Sequence, residues 1–139
     1  MRKVILATHG ELANGMLNSV SMIVGDLAKD VDVFCLHPGQ NPNDYMNELK
    51  EEIYRQQHIE YVFLCDIKGG SVHTALSQLC VYPNVKVFSG MNMNLVLDIL
   101  LSCPEDIDET NEASIIRNAK EGITLTTRKH LVIEEDDDF

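Results

Sequence analysis

The chain has 139 residues, 22 of them acidic and 11 basic, so its formal charge is −11. This length predicts a single domain that buries its own core. Because so acidic a sequence lacks the clustered Lys and Arg that release counterions, it excludes nucleic-acid binding as the main role. No apolar run approaches the about 20 residues that span a bilayer, and the N-terminal apolar stretch is too short for a signal peptide. We therefore expect a cytoplasmic globular domain.

The first part of the chain predicts a strand, a helix and a second strand. Residues 4–7 form a short apolar run, which is typical of a strand buried on both faces. Over residues 12–23, apolar side chains recur at spacings of three, four and seven, which predicts an amphipathic helix that ends at Gly25. Residues 31–36 predict the second strand.

A loop with two prolines separates this strand from the second helix. We expect the helix to begin at Asn43 or Asp44, because both side chains cap helices well, and to continue to about Gln57. Residues 61–65 form the most apolar strand of the chain, and this strand stops at Asp66.

A glycine-containing turn follows Asp66 and leads into a third helix. Ser71 is the expected cap of this helix, which reaches Leu79. Residues 85–88 predict a fourth strand, and residues 94–102 predict a fourth helix.

The C-terminal region predicts one more helix and then β-prone segments. Residues 109–120 have helical periodicity, whereas residues 123–127 and 131–133 favour strand structure. Residues 134–139 form an acidic tail that we expect to be disordered. The predicted domain therefore comprises residues 1–133.

Strands that alternate with helices through short loops predict an α/β fold. The arrangement that buries such strands is an open, mostly parallel sheet of four strands, with helices on both faces and right-handed crossovers. The last β segment has no helix after it, so it must pair at an edge of this sheet or of a partner's sheet.

Polar residues follow three of the predicted strands, at the point where each strand ends. Ligands of open parallel sheets bind beside the carboxyl ends of the strands, so we expect these residues to share one edge. They are Thr8-His9-Gly10, Asp66 with Gly69-Gly70-Ser71, and Ser89-Gly90-Met91-Asn92.

His9 and Asp66 together predict a phosphohistidine site. A neutral imidazole can take a phosphoryl group on one ring nitrogen when its other nitrogen donates a proton to an acceptor. Asp66 is the expected acceptor, and its charge would stabilise the imidazolium that forms. The N–H groups that open the third helix can bind an anion, and the Ser71 hydroxyl can cap that helix or donate to a phosphoryl oxygen. The residues predicted to bind the phosphoryl group are Thr8, Gly10, Gly69, Gly70 and Ser71.

Each of these residues also has an ordinary structural interpretation. A histidine after a strand is commonly a loop residue, and Asp66 can simply cap a turn. His73, just inside the third helix, can face solvent or the site. A metal site formed by His9, Asp66 and His73 matches no known ligand spacing. A flavin-binding, flavodoxin-like module stays open as an alternative of another class, although the chain has no tryptophan.

Three segments occur in an order and spacing that match a known family. They are ILATHG at residues 5–10, FLCDIKGGS at residues 63–71 and SGMNMNL at residues 89–95. With them, the chain resembles the enzyme IIA component of the mannose family of the bacterial phosphoenolpyruvate:sugar phosphotransferase system. The resemblance implies that His9 is the phosphoacceptor and that Asp66 supports it.

The same resemblance implies partners and an assembly. Phosphorylated HPr would phosphorylate His9, which would pass the group to enzyme IIB, while membrane components IIC and IID phosphorylate the entering sugar. The resemblance implies neither a metal nor another cofactor, since the donor is a phosphohistidine. It implies a homodimer in which a C-terminal strand pairs across to the partner. The residues expected to dock partner proteins are Lys68, Met91, Asn92 and Met93.

Three positions depart from the residues that are usual in that family, namely Lys68, Val72 and Asn94. None of them replaces His9 or Asp66. Two related roles stay open: a phosphotransfer subunit of the dihydroxyacetone-kinase type, and a regulatory module that is phosphorylated at His9. The resemblance implies that the membrane subunits, and not this chain, contact the transported sugar.

Overall fold

Across residues 1–103 and 106–131, which the computed structural model describes, four parallel strands form one sheet. The strands are β1 (Arg2–His9), β2 (Asp32–Leu36), β3 (Glu60–Cys65) and β4 (Val85–Phe88). Their order is β2-β1-β3-β4, and each neighbouring pair is parallel. The predicted open parallel sheet is confirmed.

Five helices connect or follow these strands within the same residues. They are α1 (Leu12–Val24), α2 (Pro42–Arg55), α3 (Ser71–Ser77), α4 (Met93–Leu101) and α5 (Glu112–Glu121). Short 3-10 turns follow α1 and α3, at Gly25–Ala28 and Gln78–Val81. None of the helices in the described residues has the length and hydrophobicity to cross a membrane.

The two central strands are buried on both faces, because successive side chains point to opposite sides of the sheet. In β1, Val4 and Leu6 pack with α1, α4 and α5, whereas Ile5 and Ala7 pack with α2 and α3. β3 is buried along its whole length. Each large aliphatic side chain buried in this way stabilises the fold by about 1.5–3 kcal/mol. The two strands that carry the predicted site are therefore held firmly by the core.

The chain leaves the two central strands toward opposite faces of the sheet. After β1 it enters α1 on one face, and after β3 it enters α3 on the other face. The loops that follow neighbouring strands therefore diverge and leave a crevice between the carboxyl ends of β1 and β3, where open α/β sheets bind their ligands.

Two predicted helix caps are wrong, although the helices themselves are present. Asn41, rather than Asn43 or Asp44, caps α2, because its side chain accepts a hydrogen bond from the Asn43 N–H. Pro42 then occupies the first helical position, which suits its fixed φ angle. The cap of α3 is Gly70 and not Ser71, which is the first residue of that helix.

The β-prone segment at residues 123–127 forms no strand in the described part of the chain. Its residues are exposed, and residues 128–131 form a helical turn, so Leu131 is helical rather than extended. A segment takes strand geometry only beside a neighbour that completes its backbone hydrogen bonds, and no strand of the described residues pairs with this one. The remainder of the second β-prone fragment and the acidic tail lie outside the described residues.

Candidate functional site

His9 and Asp66 meet in the crevice between β1 and β3. The His9 Nδ1 atom lies 2.8 Å from Asp66 Oδ2, and the His9 backbone N–H donates to the same oxygen over 2.8 Å. The His9 side chain remains 47% exposed, whereas that of Asp66 is only 12% exposed. The carboxylate therefore forms the fixed inner part of the site, and the imidazole presents its outer edge to solvent.

Three N–H groups hold the Asp66 carboxylate. Besides the two from His9, the Ile67 N–H donates to Oδ1 over 2.9 Å. Partial burial disfavours the charged carboxylate, but the hydrogen bonds from the His9 backbone, the His9 ring and Ile67 outweigh it, so the pKa of Asp66 lies below its ordinary value. Asp66 is consequently ionised at neutral pH, and this acceptor is lost only when the pH falls through that lowered pKa.

The ionised carboxylate determines which nitrogen of His9 is free to react. A carboxylate only accepts hydrogen bonds, so Nδ1 must carry a proton, and in the neutral ring Nε2 then holds the lone pair. The Ser71 Oγ atom lies 3.1 Å from Nε2, where its hydroxyl can donate to the lone pair of the neutral ring. In the neutral ring, Nε2 is therefore the nitrogen that holds the lone pair, and it lies beside the Ser71 hydroxyl.

The turn that follows Asp66 brings the glycine pair against His9. The Gly70 N–H donates to the Ile67 carbonyl, and Gly69 adopts a φ of +77°, a conformation that favours glycine. A Cβ atom added at Gly70 would lie 2.6 Å from Ile67 Cγ2 and 3.3 Å from His9 Cε1. Only a residue without a side chain lets this backbone approach the ring so closely.

Residues 3–115 match the family model for the fructose IIA component of the phosphotransferase system, EIIA-man. The sorbose-specific EIIA component of that system from Klebsiella pneumoniae is 31% identical over 101 residues, which cover 72% of this chain and 73% of that protein. The chain belongs to the mannose-type IIA family of the phosphotransferase system. The resemblance inferred from the three sequence segments is thus confirmed, and a general role in phosphotransfer follows.

Solved structures of IIA proteins have the same fold. A mannose/sorbose-specific IIA subunit from Enterococcus faecalis is 25% identical, with a TM-score of 0.77 over 91% of this chain and 95% of that one. A IIA protein associated with the fucose utilization operon of Streptococcus pneumoniae is 26% identical, with a TM-score of 0.71 over 89% and 92% of the two chains. The sugars named for these relatives differ from one another.

Two further residues predicted at the site of this IIA chain lie at the end of β1. Thr8 is fully buried, and its Oγ1 accepts the Ala13 N–H over 2.8 Å, which gives α1 an acceptor at its first turn. Gly10 has a φ of +55°, and its N–H donates to the Leu36 carbonyl, so it turns the chain beside the end of β2. Direct contact of either residue with a phosphoryl group stays a prediction.

The residues expected to dock partner proteins lie in the turn after Asp66 and in the loop that follows β4. Lys68 is exposed in the turn after Asp66, whereas Met91 and Met93 are half-buried and pack against the core. The Met91 N–H donates to the Cys65 carbonyl, which ties the loop after β4 to the end of β3. Asn92 caps α4 through the Leu95 N–H and donates to the Ala119 carbonyl of α5, so its polar atoms are engaged within the chain. Docking by these four residues stays a prediction.

His73 is the site residue whose role the sequence left open. Its Nδ1 accepts the Gly69 N–H over 3.0 Å, so the ring faces the turn of the site. The motif spacing alone does not reveal this contact, because it depends on how the helix begins after Gly70.

We expect the Thr8→Val substitution to destabilise the protein by about 1–2 kcal/mol, because it keeps the shape of the buried side chain but leaves the Ala13 N–H without its acceptor. Urea unfolding followed by circular dichroism measures this change. An unchanged unfolding midpoint would show that the Thr8 hydroxyl contributes nothing to the start of α1.

Proposed function

We propose that this protein is a cytoplasmic phosphocarrier that accepts a phosphoryl group on His9 from phosphorylated HPr and passes it to enzyme IIB during sugar uptake. The observation that carries the proposal is the His9 ring, which is hydrogen-bonded to Asp66 at Nδ1, contacts the Ser71 hydroxyl at Nε2 and is 47% exposed. Membership of the IIA family supports the same role.

In the proposed transfer, the Nε2 lone pair of His9 attacks the phosphorus of the donor phosphohistidine. A P–N bond forms at Nε2 as the P–N bond of the donor breaks, and the donor imidazole leaves with that electron pair. His9 keeps its proton on Nδ1, and the Asp66 charge stabilises the positive charge that develops on the ring. The second transfer, to enzyme IIB, repeats these changes in the opposite direction.

The groups around Nε2 are suited to a transferring phosphoryl group. Before transfer the Ser71 hydroxyl donates to Nε2, so it must turn away as the phosphorus approaches, and it then lies ready to donate to a phosphoryl oxygen. Gly69 has open space where a Cβ atom would lie, so it adds no side chain that would hinder the phosphoryl oxygens. Such transfers depend mainly on positioning and electrostatics.

The surroundings of His9 suit two partners that dock in succession. Ile67 is 58% exposed and Leu12 is 51% exposed, and the half-buried Met91 and Met93 add flexible apolar surface. Lys68 adds a positive charge beside the site. We propose that this surface contacts HPr and then enzyme IIB. The dihydroxyacetone-kinase and regulatory alternatives differ from this proposal in the partner and not in the acceptor residue.

We also propose that the protein forms a homodimer through residues 123–127. Ile123 and Leu125 are each 77% exposed, which favours a segment that is covered in an assembly. β4 lies at the edge of the sheet and borders an apolar groove of about 600 Å³ lined partly by Val87, Phe88 and Ile116. A strand from a second copy would complete the hydrogen bonds of that edge.

The phosphocarrier role is tested by the intact mass of the protein after incubation with phosphoenolpyruvate, enzyme I and HPr. We expect the wild type to gain one acid-labile phosphoryl group and the His9→Ala variant to gain none. Asp66→Ala should still be phosphorylated, but about tenfold more slowly or worse, because it loses a charge-assisted hydrogen bond to the reacting ring.

His58→Ala is the matched control for this experiment. His58 is exposed and precedes β3 at the opposite end of the sheet, so its removal should leave the phosphorylation rate unchanged. Phosphorylation that persists in His9→Ala would refute the acceptor assignment. A wild-type rate in Asp66→Ala would remove Asp66 from the mechanism.

Sedimentation at micromolar concentration tests the proposed dimer. We expect the wild type to sediment as a dimer and Leu125→Asp to shift toward monomer, because a charge in the paired segment would be desolvated. Met22→Asp, at a position that is 85% exposed on α1, serves as the control and should stay dimeric. A monomeric wild type would overturn the proposal.

A further inference from the structure

His73 is a histidine in contact with the turn after Asp66, and the transfer mechanism does not use it. It is the third residue of α3 and is half-buried. Its Nδ1 accepts the Gly69 N–H over 3.0 Å. A ring nitrogen that accepts a hydrogen bond carries no proton, so this contact requires the neutral imidazole with its hydrogen on Nε2. A protonated ring would instead present an N–H group to the Gly69 N–H.

His73 contacts the part of the site whose backbone has the most conformational freedom. Gly69 has a φ of +77° and precedes a second glycine, and glycine loses more conformational freedom on folding than any other residue. The side chain after His73 holds the same residue from the other side, since the Thr74 Oγ1 donates to the Gly69 carbonyl over 3.4 Å. The Thr74 N–H donates to the Gly70 carbonyl over 2.9 Å. The first turn of α3 thus fixes both glycines.

The position of these glycines determines what surrounds the His9 ring. Gly70 approaches the ring so closely that an added Cβ would lie 3.3 Å from His9 Cε1. Ser71 follows Gly70 directly, and its Oγ lies 3.1 Å from His9 Nε2. A shift of Gly69 would therefore move both the backbone that packs against the ring and the hydroxyl that contacts the nucleophilic nitrogen.

We propose that His73 is a positioning residue, whose Nδ1 holds the Gly69 N–H and thereby keeps Gly70 and Ser71 in place against His9. The catalytic consequence rests on the proposed function, in which His9 Nε2 accepts the phosphoryl group. The geometric consequence, an effect of position 73 on the His9 ring, does not depend on it.

Two substitutions separate the effect of the hydrogen bond to Gly69 from the effect of the size of the His73 side chain. His73→Asn places an amide oxygen near the position of Nδ1, so it retains an acceptor for Gly69. His73→Leu fills the half-buried space and suits a helix, but it offers no acceptor. His58→Leu, at an exposed histidine away from the site, is the control for replacing a histidine by leucine.

The first measurement is the rate of phosphoryl transfer from phosphorylated HPr in a single turnover. Loss of one neutral hydrogen bond predicts a rate about fivefold lower in His73→Leu. His73→Asn should stay within about twofold of the wild type, and the control should not change. Circular dichroism and thermal unfolding establish that each variant is folded before its rate is compared.

The second measurement is the ¹⁵N and ¹H spectrum of the unphosphorylated protein, at a pH where imidazoles are neutral. We expect the His73 ring to show an unprotonated Nδ1. The Gly69 amide proton and the His9 Nε2 signal should both shift in His73→Leu and should return toward their wild-type positions in His73→Asn.

The two measurements also distinguish failure of this inference from failure of the proposed function. If the wild type is never phosphorylated at His9, the phosphocarrier role fails, and the spectra alone decide whether His73 positions the ring. If the His9 signals and the transfer rate are the same in His73→Leu as in the wild type, His73 has no positioning role. Equal losses of rate in His73→Leu and His73→Asn would also overturn the proposal, because the acceptor would then not be what matters.

Discussion

The hydrogen bond between His9 Nδ1 and the Asp66 carboxylate is the interaction on which the site depends. It fixes the tautomer of the ring, and it therefore leaves the lone pair on Nε2, the nitrogen that faces the crevice. The same carboxylate oxygen accepts the His9 backbone N–H, so one group fixes both the end of β1 and the orientation of its last side chain. Because three N–H groups keep the pKa of Asp66 low, the acceptor persists at neutral pH.

This bond is possible because of the order of the strands. β1 and β3 are neighbours in the sheet although α1, β2 and α2 separate them in the chain, and the helices that follow them pack on opposite faces. The carboxyl ends of two buried strands are thereby left side by side without a helix between them. The core holds both strands, so His9 and Asp66 lie at the ends of firmly held elements.

Much of this arrangement could be predicted from the sequence. Continuous apolar runs indicate strands that are buried on both faces, and the alternation of these strands with helices indicates a parallel sheet. Because His9 and Asp66 each follow the end of such a strand, their meeting at one edge of the sheet could be predicted. The details that depend on three-dimensional contacts could not be predicted. Ser71 has the side chain of a helix cap, yet Gly70 is the cap and the Ser71 hydroxyl contacts His9 instead. The contact between His73 and Gly69 likewise depends on the residue at which α3 begins, which the sequence does not determine. Residues 123–127 have β-prone side chains, yet they pair with no strand in the described residues.

The most direct test of this account is to identify the phosphorylated nitrogen of His9, by ³¹P–¹⁵N correlation spectroscopy on protein that has been phosphorylated through HPr. If His9 reacts as proposed, the phosphoryl group lies on Nε2, with Nδ1 still protonated and donating to Asp66. A phosphoryl group on Nδ1 would contradict it, because that nitrogen could no longer donate to the carboxylate and the bond on which the site depends would have to break during transfer.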